Sequence, residues 1–358
     1  VIPVAQVIGW LAWLFLSYTL LVVKVLAAIP FIEVGSINTV MWAYYVVLAL
    51  SIWLASNRKR LGNLMPKATD FISRLPKKFV IPPLLVVAVL VLVMAVNIPD
   101  DNLHVDFLNV GQGDAILIQK GSQQILVDGG LSPQAISLEL SKKMPFWDRT
   151  IDLVILTHPS ADHVTGLVEV LNRYKVKQVL YPDLEYESNI YDEWFRLIEE
   201  KDVKYTFARA GQRVSLGEVM IEVLNPRMPP LTGTQSDIDN NGVVLRLKMG
   251  EVSFLLTADI MGEAEFELIT RRANLTSTVL KVAHHGSATS TAAEFLAVVS
   301  PCLAVISVGE DNPFGHPTEA VLDRLEQKVG QENIYRTDEH GTIELITDGE
   351  RLRVRVGR

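Results

Sequence analysis

The chain has 358 residues, of which 49% are hydrophobic and 21% charged, and its formal net charge is −8. That length allows two or three domains, and this composition excludes a disordered chain. The single cysteine, Cys302, excludes a disulfide framework and a cysteine-rich zinc module. The net negative charge also argues against a protein that holds nucleic acid through a generally basic surface.

The first 97 residues differ from the rest of the chain in composition. They hold eight of the 33 basic residues, two of the 41 acidic residues and none of the seven histidines. Apolar runs fill this part at 4–28, 39–55 and 79–96. Each run is close to the about 20 residues that a spanning helix needs, and none shows the polar stripe expected of a helix in a soluble bundle. We therefore predict three transmembrane helices within residues 1–98, followed by a soluble domain over 99–358.

The charges between these runs predict their orientation. Segment 56–78 carries seven basic residues and one acidic residue, whereas segment 29–38 carries only Glu33. By the positive-inside rule the basic segment lies in the cytoplasm, so the soluble domain is expected on the outer side of the membrane. Because the chain begins with Val1 rather than methionine, we expect a fragment of a longer membrane protein.

Short apolar runs separated by glycines open the predicted soluble domain. In chain order, strands are predicted at 104–108, 115–119, 124–127, 151–156, 178–181, 204–208, 219–224, 243–248, 252–256, 279–283, 303–307 and 342–346. Helices are predicted at 133–143, 164–174, 192–201, 262–272, 292–299 and 318–329. This order predicts a two-sheet α/β sandwich with helices on the outside.

Side chains that bind metals follow three of the predicted strands. They are His158, Asp162 and His163 after strand 151–156, Asp259 after strand 252–256, and His284 and His285 after strand 279–283. Imidazole and carboxylate groups suit transition metals, and open α/β sheets place their sites at the carboxyl ends of strands. Taken alone, Asp259 also fits a helix cap and His284 a buried structural histidine. The three segments together predict a metal site.

These segments resemble the metallo-β-lactamase-fold signature, in which a strand ends in His-x-His-x-Asp-His. The sequence resembles ComEC-type competence proteins more closely; these are bacterial inner-membrane channels for transforming DNA. The resemblance rests on Asp-Phe-Leu-Asn-Val-Gly-Gln-Gly-Asp-Ala at 106–115, His-Pro-Ser-Ala-Asp-His at 158–163, Leu-Thr-Ala-Asp at 256–259, His-His-Gly-Ser at 284–287 and Gly-His-Pro at 315–317. It covers about residues 99–350. It implies an α/β fold of the αββα metallo-β-lactamase type, preceded by the last three transmembrane helices of the channel domain.

The resemblance also implies roles for individual residues. The expected metal ligands are His158, Asp162, His163, Asp259 and His285, with Asp259 bridging two ions. The residues expected to take part in catalysis are Asp162, Ser160 and His316. Residues expected near the site, in supporting or undecided roles, are Asp114, Asp128, Asn241, His284 and Ser287.

The sequence departs from the superfamily pattern in two places. Ser160 stands at the second histidine of the signature, and no histidine lies between His163 and His284. Asn240 and Asn241 lie in that stretch but are poorer ligands. Fewer imidazoles and more oxygen ligands favour harder ions. We therefore expect one or two divalent ions, with Mn²⁺ favoured and Zn²⁺ as the alternative.

The function implied is DNA uptake in natural transformation, by a multi-pass protein of the bacterial cytoplasmic membrane with an extracytoplasmic metal-dependent nuclease domain. The expected partners are DNA (a single strand or the non-transforming strand), the lipid bilayer and other proteins of the competence machinery. In such a site the metal activates water and neutralises a phosphate oxygen. Two alternatives stay open: a hydrolase of a small ester or phosphodiester, and a non-catalytic module that guides single-stranded DNA.

Overall fold

Alternating strands and helices build the part of the chain that the structure describes. The computed structural model describes residues 100–145 and 148–358. The strands are β1 (Leu103–Phe107), β2 (Ile116–Lys120), β3 (Gln123–Val127), β4 (Thr150–Ile151), β5 (Leu153–Ile155), β6 (Lys175–Val176), β7 (Gln178–Tyr181), β8 (Lys204–Phe207), β9 (Arg213–Leu216), β10 (Val219–Asn225), β11 (Val244–Met249), β12 (Val252–Leu256), β13 (Val279–Lys281), β14 (Leu303–Ile306), β15 (Ile334–Arg336), β16 (Ile343–Thr347) and β17 (Leu352–Val356). The helices are α1 (Pro133–Lys143), α2 (Ala161–Arg173), α3 (Asn189–Glu200), α4 (Asp237–Asn240), α5 (Gly262–Thr270), α6 (Ala293–Val299), α7 (Glu319–Val329) and α8 (Thr337–His340).

Across the described residues, the strands form two large sheets. The first has the order β17-β16-β1-β2-β3-β5-β7-β8 and the second β15-β14-β13-β12-β11-β10-β9, while β4 pairs with β6. Strands β3, β5, β7 and β8 of the first sheet run parallel to one another, and so do β12, β13, β14 and β15 of the second. Each sheet therefore has a parallel half, and the loops that carry the candidate ligands leave from the carboxyl ends of these parallel strands.

Apolar side chains pack between the sheets and on the outer face of each. Phe107 of β1 and Phe254 of β12 belong to the cluster between the sheets. Helices α1 to α3 cover the outer face of the first sheet around Trp194, and α5 to α7 cover the second around Phe295. Burying a side chain such as Phe254 contributes about 1.5–3 kcal/mol. The result is a four-layer αββα arrangement.

The alternation of residue types in β1 explains its place in the sheet. Leu103, Val105 and Phe107 point into the core between the sheets. Because successive side chains of a strand point to opposite faces, His104 and Asp106 lie on the side covered by α1. On that face of β1, Asp106 pairs with Lys143 and His104 pairs with Glu344.

The predicted αββα sandwich is confirmed for the described residues, although some bounds differ. The predicted strand 279–283 ends at Lys281, because the chain turns there into the 3₁₀ segment Ala283–Gly286. The short elements β6, α4 and α8 were not predicted from the sequence, nor were β9, β15 and β17, each of which is an outermost strand of its sheet. Their sequences mix polar and apolar residues, so they lack the continuous apolar run of a central strand.

The transmembrane helices predicted for residues 1–98 lie outside the described residues. Within 100–145 and 148–358, no helix combines the length and apolar character needed to cross a bilayer. The division of the chain at residues 98 and 99 stays a prediction.

Candidate metal centre

The centre lies where loops leave the carboxyl ends of β3, β5, β12 and β13. Four residues in these loops have the left-handed backbone conformation that side-chain-bearing residues rarely adopt. They are Asp128 (φ 58°), Ala258 (φ 49°), His284 (φ 50°) and His285 (φ 54°). Such strained residues concentrate at functional sites, where the surrounding structure holds them in place.

Four side chains meet at this edge of the sheets. Asp162, His163, Asp259 and His285 each offer one ligand atom, and these atoms lie within 4.8 Å of one another. Asp259 Oδ2 is 3.3 Å from His163 Nε2 and 3.2 Å from His285 Nε2. His285 Nε2 is also 3.3 Å from Asp162 Oδ2. We call these four residues the quartet.

Hydrogen bonds on the far side of each ring direct the imidazoles of the quartet. His163 Nδ1 is 2.8 Å from Asp128 Oδ2, and His285 Nδ1 is 2.8 Å from the Ser307 carbonyl oxygen. Both acceptors require a proton on Nδ1, so each Nε2 turns an unprotonated nitrogen toward Asp259 when the ring is neutral. Neither Nε2 makes a hydrogen bond within the described part of the chain, and both are buried.

The carboxylates and imidazoles of the quartet shift one another's pKa values. Burial by itself would raise the pKa of the Asp259 carboxyl, but His285, His163 and Lys281 together hold that pKa well below its usual range. Burial likewise opposes protonation of His285, yet Asp259 and Asp162 raise the pKa of that imidazole to about 10. The carboxylates therefore stay ionised and attract positive charge into the cluster.

This donor set fits a divalent metal ion. Two imidazole nitrogens without hydrogen-bond partners and two ionised carboxylates converge on one point, which is the chemistry of a borderline or hard cation site. Asp162, His163, Asp259 and His285 would hold the ion. Asp162 is about a quarter exposed whereas the other three are buried, so solvent reaches the cluster from the Asp162 side.

His158 lies beside the quartet but faces a different acid. Its ring centroid is 4.0 Å from that of His163, and its Nε2 is 3.6 Å from Asp239 Oδ1. Its Nδ1 is 3.0 Å from the hydroxyl of Thr157. Ser160 precedes α2 as its N-cap residue but makes no capping hydrogen bond through its side chain.

The asparagine pair that the sequence analysis placed in this region has a structural role. Asn241 accepts a hydrogen bond from the Leu231 N–H and donates to the carbonyl oxygens of Leu231 and Asp237. Asn240 accepts from the backbone at the start of α5 and donates to the Thr234 hydroxyl. Asp239, in α4, is the residue of this stretch that reaches a site histidine.

Asp128 and Asp114 support the quartet from behind. Asp128 accepts hydrogen bonds from the Thr157 N–H and hydroxyl, both at 2.7 Å, in addition to its contact with His163. Asp114 is buried and contacts the Lys281 ammonium, and its other oxygen is 3.7 Å from His285 Nδ1. Asp128 therefore orients the candidate ligand His163, and Asp114 pairs with Lys281.

His284 and His316 line the approach to the quartet. His284 Nε2 is 4.0 Å from Asp259 Oδ2, and the rings of His284 and His316 have centroids 5.8 Å apart. Burial, and then the charges of His284 and His285, lower the pKa of His316. Its ring is therefore neutral near pH 7.

Two further residues complete this approach. Ser287 shares a 2.9 Å hydrogen bond with the Thr289 hydroxyl and belongs to the turn after His284, so its side chain is directed at the loop. The phenyl ring of Phe314 stacks on His316 with 5.9 Å between centroids, and its side chain is largely exposed.

The turn at Gly113 explains why Asp162 is fixed in position. A Cβ built on Gly113 would lie 1.9 Å from the Asp162 carbonyl oxygen, and its φ of +107° also favours glycine. Only glycine allows the first loop to approach α2 this closely.

Lys281 and Asp239 were not predicted from the sequence. Lys281 is the single charge of the apolar strand β13, three residues before the histidine pair, and this isolated charge was the available signal. Asp239 lies in an acid-rich stretch, 237–241, in which the asparagines drew attention first. Neither residue has a ligand-type spacing that marks it in advance.

Comparison with known proteins supports the metallo-beta-lactamase fold. A model of the metallo-beta-lactamase superfamily matches residues 108–310. ComE operon protein 3 of Bacillus subtilis is 30% identical over 258 residues, which cover 67% of this chain and 32% of that protein. Recombination protein 2 of Haemophilus influenzae is 32% identical over 259 residues, covering 71% and 30%.

A third relative and a solved structure complete the comparison. Competence protein ComA of Neisseria gonorrhoeae is 29% identical over 252 residues, which cover 69% of this chain and 33% of that protein. The chain thus spans about a third of the length of these curated relatives. The metallo-beta-lactamase fold protein YhfI of Bacillus subtilis is 13% identical with a TM-score of 0.47, covering 68% of this chain and 99% of that one.

Proposed function

The chain belongs to the metallo-beta-lactamase superfamily, and from this we propose that its described domain is a metal-dependent hydrolase that cleaves phosphodiester bonds of DNA during DNA uptake. The observation that carries the proposal is the convergence of Asp162, His163, Asp259 and His285. The predicted resemblance to ComEC-type competence proteins is confirmed by the curated relatives. One of those relatives is named a competence protein and another a recombination protein, which supports DNA as the substrate.

Different groups of the protein would orient the metal-binding histidines and contact the phosphodiester. A divalent cation, when bound, supplies a Lewis acid for a phosphate oxygen and makes water a stronger nucleophile near neutral pH. Asp128 and the Ser307 carbonyl keep His163 and His285 oriented toward it. Because the His316 ring is neutral near pH 7, it offers one donor and one acceptor nitrogen to the phosphodiester or its leaving oxygen.

The metal that we expect is Mn²⁺, with Zn²⁺ as the alternative. The quartet has two carboxylates and two imidazoles. The Nε2 of His158 faces the carboxylate of Asp239. Oxygen-rich donor sets favour harder ions than the imidazole-rich sets typical of zinc. Ser160 adds no imidazole to this edge of the cluster.

Phe314 supports a nucleic-acid substrate. This exposed phenyl ring lies beside His316 on the approach to the quartet. Aromatic rings at such positions stack on unpaired bases, and every base has a face that can stack. The domain carries most of the chain's acidic residues, so we expect attraction of DNA to depend on the metal and to weaken as salt concentration rises.

Cleavage assays on the purified chain test this function. We expect Mn²⁺-dependent cleavage of a labelled single-stranded oligonucleotide, with EDTA abolishing it. Cleavage of small phosphodiesters or esters without cleavage of DNA would instead indicate a small-molecule hydrolase. Binding of DNA without tight metal binding or cleavage would indicate a module that only guides the strand. Either result would contradict the proposed nuclease.

The membrane part of the proposal concerns residues 1–98, which lie outside the described residues. Their three apolar runs and the basic segment 56–78 support a multi-pass anchor with the hydrolase domain outside the cytoplasm. Reporter fusions at Gly62 and Asn102 are expected to report opposite sides of the membrane, with Gly62 cytoplasmic. A cytoplasmic signal at Asn102 would contradict this orientation and leave the hydrolase assignment unaffected.

A further inference from the structure

Lys281 is a charged residue that is fully buried. It is the last residue of β13 and its exposed fraction is 0%. A buried ammonium is costly unless all its donors find acceptors. Lys281 Nζ contacts the Ala258 carbonyl oxygen at 2.8 Å, Asp259 Oδ1 at 3.5 Å, and Asp114 Oδ2. These contacts account for the three hydrogens of the ammonium.

The two oxygens of the Asp259 carboxylate face different groups. Oδ1 faces Lys281, while Oδ2 faces the imidazole nitrogens of His163 and His285. A carboxylate anchored through one oxygen presents the other in a fixed direction. Lys281 therefore determines which oxygen of Asp259 is directed into the quartet.

A second cluster of acids and histidine lies behind the quartet. Asp114, Asp128 and His163 also bring ligand atoms within 4.8 Å of one another and by residue type could hold an ion. In the structure, however, Asp128 accepts hydrogen bonds from Thr157 and His163, and Asp114 contacts Lys281. The Nε2 of His163 is directed at the quartet. Each residue of this second cluster is thus already engaged.

We propose that Lys281 is the fixed cation of the second cluster and a positioning residue for Asp259. Its ammonium offsets the buried charges of Asp114 and Asp259. The second cluster therefore has the ammonium as its cation, and the divalent ion binds only in the quartet. The inference rests on the proposed metal site and is independent of the substrate. Asp114 is then the ion-pair partner of Lys281 and not a ligand of the divalent ion.

The test measures Mn²⁺ binding to the purified chain by calorimetry, together with the electron paramagnetic resonance spectrum of the bound ion. Lys281→Met keeps a long unbranched side chain and removes the charge. Loss of a group that orients a ligand typically costs 10–100-fold in metal affinity, and we expect a loss of that size and a changed spectrum. An unchanged affinity and spectrum in Lys281→Met would overturn the proposal.

Lys143→Met is the matched control. Lys143 also bridges two acids, Asp106 at 2.6 Å and Glu344 at 3.1 Å, but these lie on β1 and β16 and not in the quartet. Its loss is expected to leave Mn²⁺ affinity unchanged. An equal loss of affinity in both variants would show a general effect of removing a lysine that pairs with two acids, and would overturn the specific role of Lys281.

Asp114→Asn decides the question if Lys281→Met does not fold. The amide oxygen of asparagine can still accept from Lys281, so we expect the Mn²⁺ stoichiometry of the unmodified chain. Loss of one ion per chain would make Asp114 a ligand and overturn the proposal. Absence of Mn²⁺ binding in the unmodified chain would instead contradict the proposed function itself, so the two failures are distinguishable.

Discussion

The orientation of His163 depends on one buried carboxylate. Asp128 holds His163 Nδ1 at 2.8 Å and is itself held by the Thr157 N–H and hydroxyl. The Asp128 backbone is left-handed, so the strained turn after β3 also serves to place this side chain. The candidate ligands are thus oriented by the residues behind them.

Asp128→Asn tests that arrangement. The amide nitrogen of asparagine can donate to His163 Nδ1, which would move the imidazole proton to Nε2 and remove the lone pair that a metal needs. We expect Mn²⁺ affinity to fall about 10–100-fold with the fold retained. Calorimetric titration measures this. Asp152→Asn, at a partly exposed acid paired with Lys177, serves as the control and should bind Mn²⁺ normally.

Asp259→Ala tests the quartet itself. Because Asp259 Oδ2 faces both imidazole nitrogens, its removal is expected to abolish metal binding and DNA cleavage. The fold should survive, since the apolar strand β12 carries the packing. If Asp259 acted only as a helix cap, the change would cost about 0.5–2 kcal/mol of stability and leave the chemistry intact. Melting temperature, metal content and cleavage rate measured on one preparation separate these outcomes.

Site residues differ in how far the sequence predicts them. Motif spacing indicated the quartet residues because they follow apolar strands directly and form short local patterns. Lys281 and Asp239 act through contacts between segments far apart in the chain, and no local pattern shows such contacts. Asn241 was proposed from its position in the chain, but its hydrogen bonds stabilise the loop at Leu231.

At the scale of elements, the loop that precedes α7 carries the approach to the centre. Asn312 donates to the His316 carbonyl oxygen and accepts from the His316 N–H, which closes this loop on itself. The closed loop presents Phe314 and His316 side by side. The His316 ring in turn lies 5.8 Å from that of His284, whose Nε2 is 4.0 Å from Asp259 Oδ2.

Phe314→Ala is expected to raise the KM for a single-stranded oligonucleotide on the order of tenfold, because one base loses its stacking partner. The kcat for a small phosphodiester should stay unchanged, and Phe314→Trp should restore the KM for DNA. Phe266→Ala, at another exposed phenylalanine, is the control. A difference between Phe314→Ala and the unmodified chain that persists on an abasic oligonucleotide would contradict base stacking.

A second element-scale feature is the charged face where α1 covers β1 and β16. His104 Nδ1 is 2.9 Å from Glu344 Oε1, and Lys143 lies 3.1 Å from the same carboxylate. The hydrogen bond from His104 lowers the pKa of Glu344 to about 2, and Glu344 in turn raises the pKa of His104. These shifts link the pairing of the two strands to pH.

Glu344→Gln therefore destabilises the domain in a pH-dependent way. The Glu344 contribution is complete above its ordinary pKa of 4.5 and is lost as pH falls toward 2, while the His104 contribution is complete below 6.5 and is lost as pH rises through its raised value. We expect a melting temperature about 2–4 °C lower between pH 4.5 and 6.5, and a smaller difference at higher pH. Thermal unfolding across pH measures this, with Glu251→Gln as control. A difference that grows with pH would contradict the pairing.

At the scale of the whole molecule, two sheets that each have a parallel half bring distant segments to one edge. Residues from four separate loops, beginning with Asp128 and ending with His285, meet there because β3, β5, β12 and β13 direct their carboxyl ends to that edge. The order of strands and helices predicted the layered fold. The edge strands β9, β15 and β17 could not be predicted, because they are short and their mixture of polar and apolar residues gives no continuous apolar run.

Anomalous diffraction from crystals soaked in Mn²⁺ would locate the bound ion. We predict a peak bounded by His163 Nε2, His285 Nε2, Asp259 Oδ2 and the Asp162 carboxylate, with Lys281 still in contact with Asp114. A peak between Asp114 and Asp128, or no peak in the quartet at saturating Mn²⁺, would contradict it.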